Sequence, residues 1–362
     1  GASTLSNNLL YEDHAIPFWM SYGKLFVLKA FIFYLKELLL SFFFKRKKIF
    51  KNLSELYKDL PPNIRDFLTR GCQKNYQINP KELDPLANEM STITNFRQTL
   101  FNDNLTNFLK ENSTFFDEHL ASRRKSNSSL KGISLYPRGK NMEFITNKLI
   151  SKLKKKGVIF ENHNFDNINL ISSSNFVKFN NEKFNNVLIT TNLSNVQRLF
   201  KFNLDKSFEH YVSQIFIYFT LDKIDFKFQY LQINDLNLYC SRISNYSLYS
   251  NFSADNNHVL IAEIPLSPLN KLWENDDELI RVAWNEIRKS GILKEKIELD
   301  YKTAKVLKIK KTFPIPKVNF FDTLYKIQLN LEKKFSGNVK MIGQGIFTRH
   351  KFVKELLRNY KL

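Results

Sequence analysis

The residues best typed for binding chemistry in this sequence are Gly343-Gln344-Gly345, set between the apolar run Asn338-Val339-Lys340-Met341-Ile342 and a helical pattern that continues through Leu357. Two glycines there let a ligand approach the backbone at a helix N-terminus, where unpaired N–H groups and the helix dipole favour an anion. A tight structural turn has the same letters: the third small residue of a dinucleotide fingerprint is missing, and no second strand follows to complete a βαβ unit. Other chemistries find less. The histidines at positions 14, 119, 163, 210, 258 and 350 never pair at i, i+4, and neither Cys72 nor Cys240 has a neighbour at ligand spacing, so no metal site is expected. Gly-x-Ser-x-Gly and Walker A sequences are both missing, which removes the α/β-hydrolase and P-loop readings. Asp276, Asp277 and Glu278 open a helical pattern over residues 275–291 in which Asn275 can cap, Glu278 has capping-box spacing and Gly291 ends the run. Their acidity complements the helix dipole and is structural.

These residues must be positioned by a large chain. It has 362 residues, 43% of them hydrophobic, including 34 Phe and 15 Tyr, enough for two or three packed modules. Two distant cysteines exclude a disulfide scaffold and read as buried thiols of a reducing, cytoplasmic setting. The net charge is +20, but the basic residues are scattered and accompany no recognisable nucleic-acid module, so solvated faces are the reading and no nucleic-acid partner is expected. Ten glycines are less than half the usual share of about 7%.

Helical periodicity dominates residues 24–119, with Pro61-Pro62 opening a new segment. Residues 121–131 are polar and basic, an exposed loop. Met142, Ile145, Leu149 and Leu153 then keep helical spacing until Gly157, and Val158-Ile159-Phe160 reads as a strand. Residues 186–191 read as a buried strand delivering the chain into a helix near Ser194. From His210 to Ile264 the pattern is β, clearest in YVSQIFIYF, FKFQYLQI and HVLIAEI.

No basic n-region with a short apolar run and cleavage site marks a secretory signal. Residues 24–44 have the length of a membrane span, but Lys24, Lys29, Lys36 and Glu37 interrupt them. Lys29, Lys36 and Glu37 fall within about 100° on a helical wheel, and Lys45-Arg46-Lys47-Lys48 follows. Two readings stand: a helix lying in the interface of an anionic membrane, or a buried helix of a helical subdomain followed by a solvated basic turn.

Five segments recur in an informative order: Tyr136-Pro137-Arg138-Gly139 with a helix and Lys156-Gly157-Val158-Ile159; Asn186-Val187-Leu188-Ile189-Thr190-Thr191; Arg242-Ile243-Ser244-Asn245-Tyr246 with Asn251-Phe252-Ser253 and Leu260-Ile261-Ala262-Glu263-Ile264; Thr312-Phe313-Pro314-Ile315-Pro316; and Met341-Ile342-Gly343-Gln344-Gly345-Ile346-Phe347-Thr348-Arg349-His350. Collinear over about 230 residues, they resemble the flavin-dependent amine oxidase and protoporphyrinogen oxidase superfamily, most of all its UDP-galactopyranose-mutase-like members. In that resemblance the first segment leads to the strand passing the adenosine end of FAD, and the second is the returning strand that normally ends in Ala-Thr-Pro. The third belongs to the substrate domain, the fourth precedes the last helix and strand, and the fifth lies beside the flavin. Lys140 stands where a second glycine is usual, Gln344 where an arginine is, and Asn192 where a proline is.

The resemblance implies an α/β plus α+β architecture, an FAD/NAD(P)-binding flavoprotein oxidoreductase-type fold with a helical subdomain and an antiparallel-sheet substrate domain. Gly1-Ala2-Ser3-Thr4-Leu5 resembles the segment after the third FAD-domain strand, so the N-terminal βαβ unit is expected to be missing, the chain being a fragment, a split product or a remnant that has shed the flavin. The implied divisions are a nucleotide-binding remnant over residues 1–20, a helical subdomain over 21–125, the middle of the nucleotide-binding domain over 126–205, the substrate domain over 206–313, and the C-terminal strand and helix of the nucleotide-binding domain over 314–362. The resemblance places Gly139, Ile168, Thr190, Gly343, Gln344 and Gly345 against FAD and puts Arg242 and Arg349 toward an anionic substrate, although either arginine could instead be satisfied by a nearby carboxylate. The implied function is an FAD-dependent oxidoreductase or mutase-like enzyme acting on a nucleotide-linked sugar or lipid-linked substrate. FAD is expected to bind weakly or not at all to this chain alone, with a second chain supplying the nucleotide-binding unit. The alternative is a flavin-free scaffold, cytoplasmic or peripheral at a membrane.

Overall fold

A computed structural model of the chain describes residues 2–6, 9–12, 24–43, 50–58, 60, 62–85, 87, 103–113, 116, 137, 139–162, 170–172, 176–179, 182–191, 193–202, 208–222, 224, 229–233, 235, 237–250, 258–293, 297 and 303–342. In chain order the elements are β1 (Ala2–Ser6), β2 (Leu9–Glu12), α1 (Lys24–Phe43), α2 (Leu53–Lys58), α3 (Pro62–Tyr76), α4 (Asp103–Asn112) and α5 (Glu143–Lys155). Next come β3 (Leu170–Ser172), β4 (Val177–Phe179), β5 (Glu182–Phe184), β6 (Val187–Ile189), α6 (Leu193–Phe200), β7 (Glu209–Leu221), β8 (Tyr230–Ile233) and β9 (Arg242–Asn245). The chain continues with β10 (His258–Pro265), α7 (Asp276–Lys289), β11 (Lys305–Pro316), α8 (Phe320–Phe335) and β12 (Val339–Met341).

Strict alternation builds the largest layer. On β7, Ile215, Ile217, Phe219 and Leu221 point to one side, and Leu260, Ala262 and Ile264 do the same on the antiparallel neighbour β10. Seven strands join in the order β11-β7-β10-β9-β8-β1-β2, antiparallel except for the parallel β8–β1 contact. The residues expected to be a nucleotide-binding remnant thus contribute β1 and β2 to the edge of this sheet. Helix α7 covers the apolar side with Leu279, Ile280, Ala283, Trp284 and Ile287, and the Trp284 ring lies 5.3 Å from that of Phe219. Its start follows the sequence in part: the Asn275 side chain accepts from the Glu278 amide at 3.0 Å, but the Glu278 carboxylate pairs with Arg281. The expected box is only half closed.

Two further cores flank this layer. Leu53, Tyr57, Leu68, Cys72 and Tyr76 of α2 and α3 pack on Val212 and Ile315 from one end of β7 and β11. Val196 and Phe200 of α6 pack with Leu324, Ile327, Leu331 and Phe335 of α8 beneath the parallel pair β6–β12. Strands β3, β4 and β5 form a small antiparallel meander.

One local expectation is overturned. Val158-Ile159-Phe160 forms no strand; the Val158 amide bonds back to Leu153 at 3.0 Å across Gly157, whose φ of +84° ends α5 in the left-handed region. No strand pairs with the triple among the described residues, and Ile159 stays 81% exposed. Apolar, β-branched residues favour a strand only where a ladder partner exists.

Candidate functional site

The face of the large sheet opposite α7 carries the best-formed polar cluster. Period-two alternation sends Gln214, Phe216 and Tyr218 of β7, Glu263 of β10, Arg242 of β9 and Tyr230 of β8 to this side. Arg242 and Glu263 are cross-strand partners. Glu263 Oε1 accepts from Arg242 Nε at 2.7 Å and from Nη2 at 2.6 Å, while Gln214 Nε2 donates to Oε2 at 3.1 Å. Glu263 and Gln214 are buried, whereas the arginine side chain is 44% exposed. Its guanidinium lies 5.9 Å from the centroid of the Tyr230 ring. Burial, then Tyr246 and Glu263, push the Tyr218 phenol up from its ordinary value. The buried carboxylate holds one side of the guanidinium, and no other acceptor among the described residues meets it, so further N–H groups remain for an anion. Flanking aromatic rings suit a planar or sugar-like neighbour.

Arg242 is therefore bonded to a carboxylate and partly open to solvent at once. Nothing in the sequence marks Gln214 or Tyr230 for this cluster; for Glu263 the signal is a single acid in the apolar strand HVLIAEI.

The other expected residues lie elsewhere. Thr190 is exposed just beyond the carboxyl end of β6, and because β12 runs parallel to β6, with the Ile342 amide donating to Ile189 at 2.9 Å, the chain leaves both strands along the same edge. Ligands of open α/β sheets bind at that edge. Gly139 is exposed at φ +63°, and a side chain there would meet nothing within 4 Å, so backbone conformation rather than close approach calls for glycine. Ile168, Gly343, Gln344, Gly345 and Arg349 lie outside the described residues.

A second polar junction ties α3 to the sheet. Lys74 Nζ donates to the carbonyls of Ile233 at 3.3 Å, Asp235 at 2.5 Å and Cys240 at 2.7 Å. From the other side, buried Glu286 of α7 accepts from the Tyr239 and Cys240 amides at 2.7 and 2.8 Å. Burial lowers the Lys74 ammonium to about 8, and burial raises the Cys240 thiol well above its usual value. An amine of that acidity suits imine chemistry, but three carbonyls occupy its donors, so this lysine holds the loop. Beside it lies an open cleft of about 550 Å³ lined by Arg70, Gln73, Lys74, Gln77, Tyr239 and Ser267.

No protein-family model and no curated protein matches the sequence. Solved structures do resemble the fold. A reduced UDP-galactopyranose mutase matches 86% of this chain at 17% identity and a TM-score of 0.55, and this chain spans 65% of that protein. An oxidoreductase from Methanosarcina mazei matches 95% of the chain at 10% identity and a TM-score of 0.52, with 75% of its own length covered. A putrescine oxidase variant, from work on redesigned cofactor binding, matches 94% at 8% identity and a TM-score of 0.51, with 74% covered. At identities this low the likeness is one of fold, and it is the one the five ordered segments resemble: the chain shares the fold of the mutase and of the amine-oxidase group.

Proposed function

We propose that this chain carries the substrate-facing part of an FAD-dependent oxidoreductase or mutase-like enzyme acting on a nucleotide-linked sugar or a lipid-linked substrate. The observation that carries the reading is Arg242: buried Glu263 holds it on one side, Tyr230 lies beside it, and part of it stays open on a sheet face flanked by Phe216 and Tyr218. A fixed guanidinium beside aromatic rings binds and orients an anion joined to a planar or sugar group.

The fit to FAD is partial. The carboxyl edge of β6 and β12, with α6 starting at Leu193, offers backbone and apolar contacts near Thr190. Among the described residues, no glycine-rich turn leads from a strand into a helix there to hold a pyrophosphate. When bound, the flavin supplies electron transfer or covalent activation that side chains lack. On the large sheet Arg242 would bind and orient an anionic substrate, and the buried surface behind Glu263 would keep water from that side of it. A separate βαβ unit joining the β6–β12 pair would complete the cofactor site.

Calorimetric titration of FAD into the chain, and into the chain fused to a βαβ unit, tests this. Stoichiometric binding by the fusion and weak or no binding by the chain is expected. If the fusion folds and still fails to bind, the flavin reading is overturned in favour of a scaffold.

A further inference from the structure

Helix α1 spans 20 residues, about 30 Å of helix. Leu25, Leu28, Phe31, Ile32, Leu35, Leu39 and Leu40 are 40–66% exposed. At 100° per residue these seven occupy one arc of about 180°, with the first six inside about 120° of it. Lys29 and Lys36, both exposed, lie near one side of that arc, between Leu25 and Leu40, and Phe33, beyond Leu40, packs against the core of α2 and α3. Phe33 is thus the described contact of α1 with the protein, and the apolar stripe is exposed. Exposed stripes of this size mark an interaction surface.

We propose that α1 is a membrane-surface anchor that seats this stripe in one leaflet of an anionic membrane. No helix among the described residues is long and apolar enough to cross a membrane, so the helix lies in the interfacial plane. Charge selects the occupant. Lys29 and Lys36 lie near one side of the arc, where long side chains reach lipid headgroups, Lys45-Arg46-Lys47-Lys48 follows in the sequence, and the chain carries +20. A second copy would bring the same lysines and the same net charge against this face, which like-charge repulsion opposes. An acidic bilayer complements both the stripe and its lysines. This inference does not depend on flavin binding.

The test is co-sedimentation of the full chain with phosphatidylcholine vesicles containing roughly 30% phosphatidylserine, and with pure phosphatidylcholine vesicles, at low and high salt. Binding to the anionic vesicles is expected, several-fold weaker in high salt and at least tenfold weaker to neutral vesicles. Leu28→Asp/Leu35→Asp should lower anionic-vesicle binding at least tenfold with an unchanged circular dichroism spectrum. Should that variant misfold, Lys29→Glu/Lys36→Glu keeps the stripe and should lose the anionic preference. Equal binding to both vesicle types, binding that survives both variants, or no vesicle binding by monomer or by a dimer in sedimentation equilibrium would each overturn the proposal.

Discussion

Strands β7 and β10 sit inside a seven-stranded sheet whose apolar side is covered by α7, with Ile215, Phe219, Ala262 and Trp284 all buried. Strands β6 and β12 form a parallel pair of three residues each, and Leu188, the middle residue of β6, is exposed; elsewhere in the chain α5 buries none of its residues. Parallel strands belong to sheets covered on both faces, whereas antiparallel ones tolerate a wet face. The first region is therefore a closed core, and the parallel pair, packed beneath by α6 and α8, leaves Leu188 exposed on its other face. The lengths of the strands differ accordingly: β7 and β10 run for 13 and 8 residues, long enough for alternation to fix a buried face, whereas β6 and β12 have 3 residues each.

The largest effect should come from the closed core. Trp284→Ala removes a buried ring from contact with Phe219 and should destabilise the chain by about 3–5 kcal/mol in chemical denaturation. A loss below about 1 kcal/mol would show that α7 is not what closes the sheet.

The buried titratable groups sharpen the same contrast through pH. Burial raises the Cys72 thiol to about 12 and raises the Cys240 thiol and the Tyr57 phenol, so the folded chain keeps these protons while the unfolded chain sheds the thiol protons above about pH 9 and the phenol proton above about pH 10. Stability is lost as pH rises there, at about 1.4 kcal/mol per unit for each fully shifted group. Lys74, lowered to about 8, works the other way: the unfolded chain binds its proton up to about pH 10.4, so this group adds stability between those values. Above about pH 9 the two thiols outweigh the one base, and the phenol adds to the loss above about pH 10. The denaturation midpoint should peak near pH 8–9 and fall beyond it, with a shallower fall in Cys72→Ala; a midpoint still rising at pH 10 would break the account.

A smaller effect is expected at the candidate site, where the comparison passes from core to surface. Arg242→Ala leaves buried Glu263 with Gln214 as its side-chain partner and should cost about 1–3 kcal/mol. It should also weaken binding of a nucleotide-sugar probe, whereas Arg242→Lys should restore part of the stability and little of the binding, because an ammonium lacks the planar fork. Equal binding by all three proteins would remove Arg242 from the site.

What the sequence revealed follows the range of the interactions involved. Inward residues of β7 and β10, the Asn275 cap and the Gly157 and Gly291 stops are local patterns, and all were readable. The parallel contact of β1 with β8 joins residues more than 200 positions apart, which no local pattern encodes. Arg242 was readable as a guanidinium, but its carboxylate partner lies across a strand ladder, and Lys74 looks like any solvated lysine of an amphipathic helix until three carbonyls of a distant loop meet it. The apolar triple 158–160 was misread because hydrophobicity signals contact without saying with what.

The smallest effect in the isolated chain should arise at the exposed residues that follow α5, and it is the most discriminating. Ile159→Asp changes a side chain that is 81% exposed beside the half-buried or exposed residues of α5, so it should alter stability by less than about 0.5 kcal/mol. Met142, which caps α5, and Ile145 and Leu149 on it are exposed as well. If that surface receives a βαβ unit, the same substitution places a charge in a desolvated contact, and binding of a separately expressed unit should fall at least tenfold. Surface that is merely tolerated predicts no change in either measurement. A substitution silent in the chain and disabling in the complex would mark residues 142–160 as half of an interface, and a destabilised chain would mean that this surface is already covered.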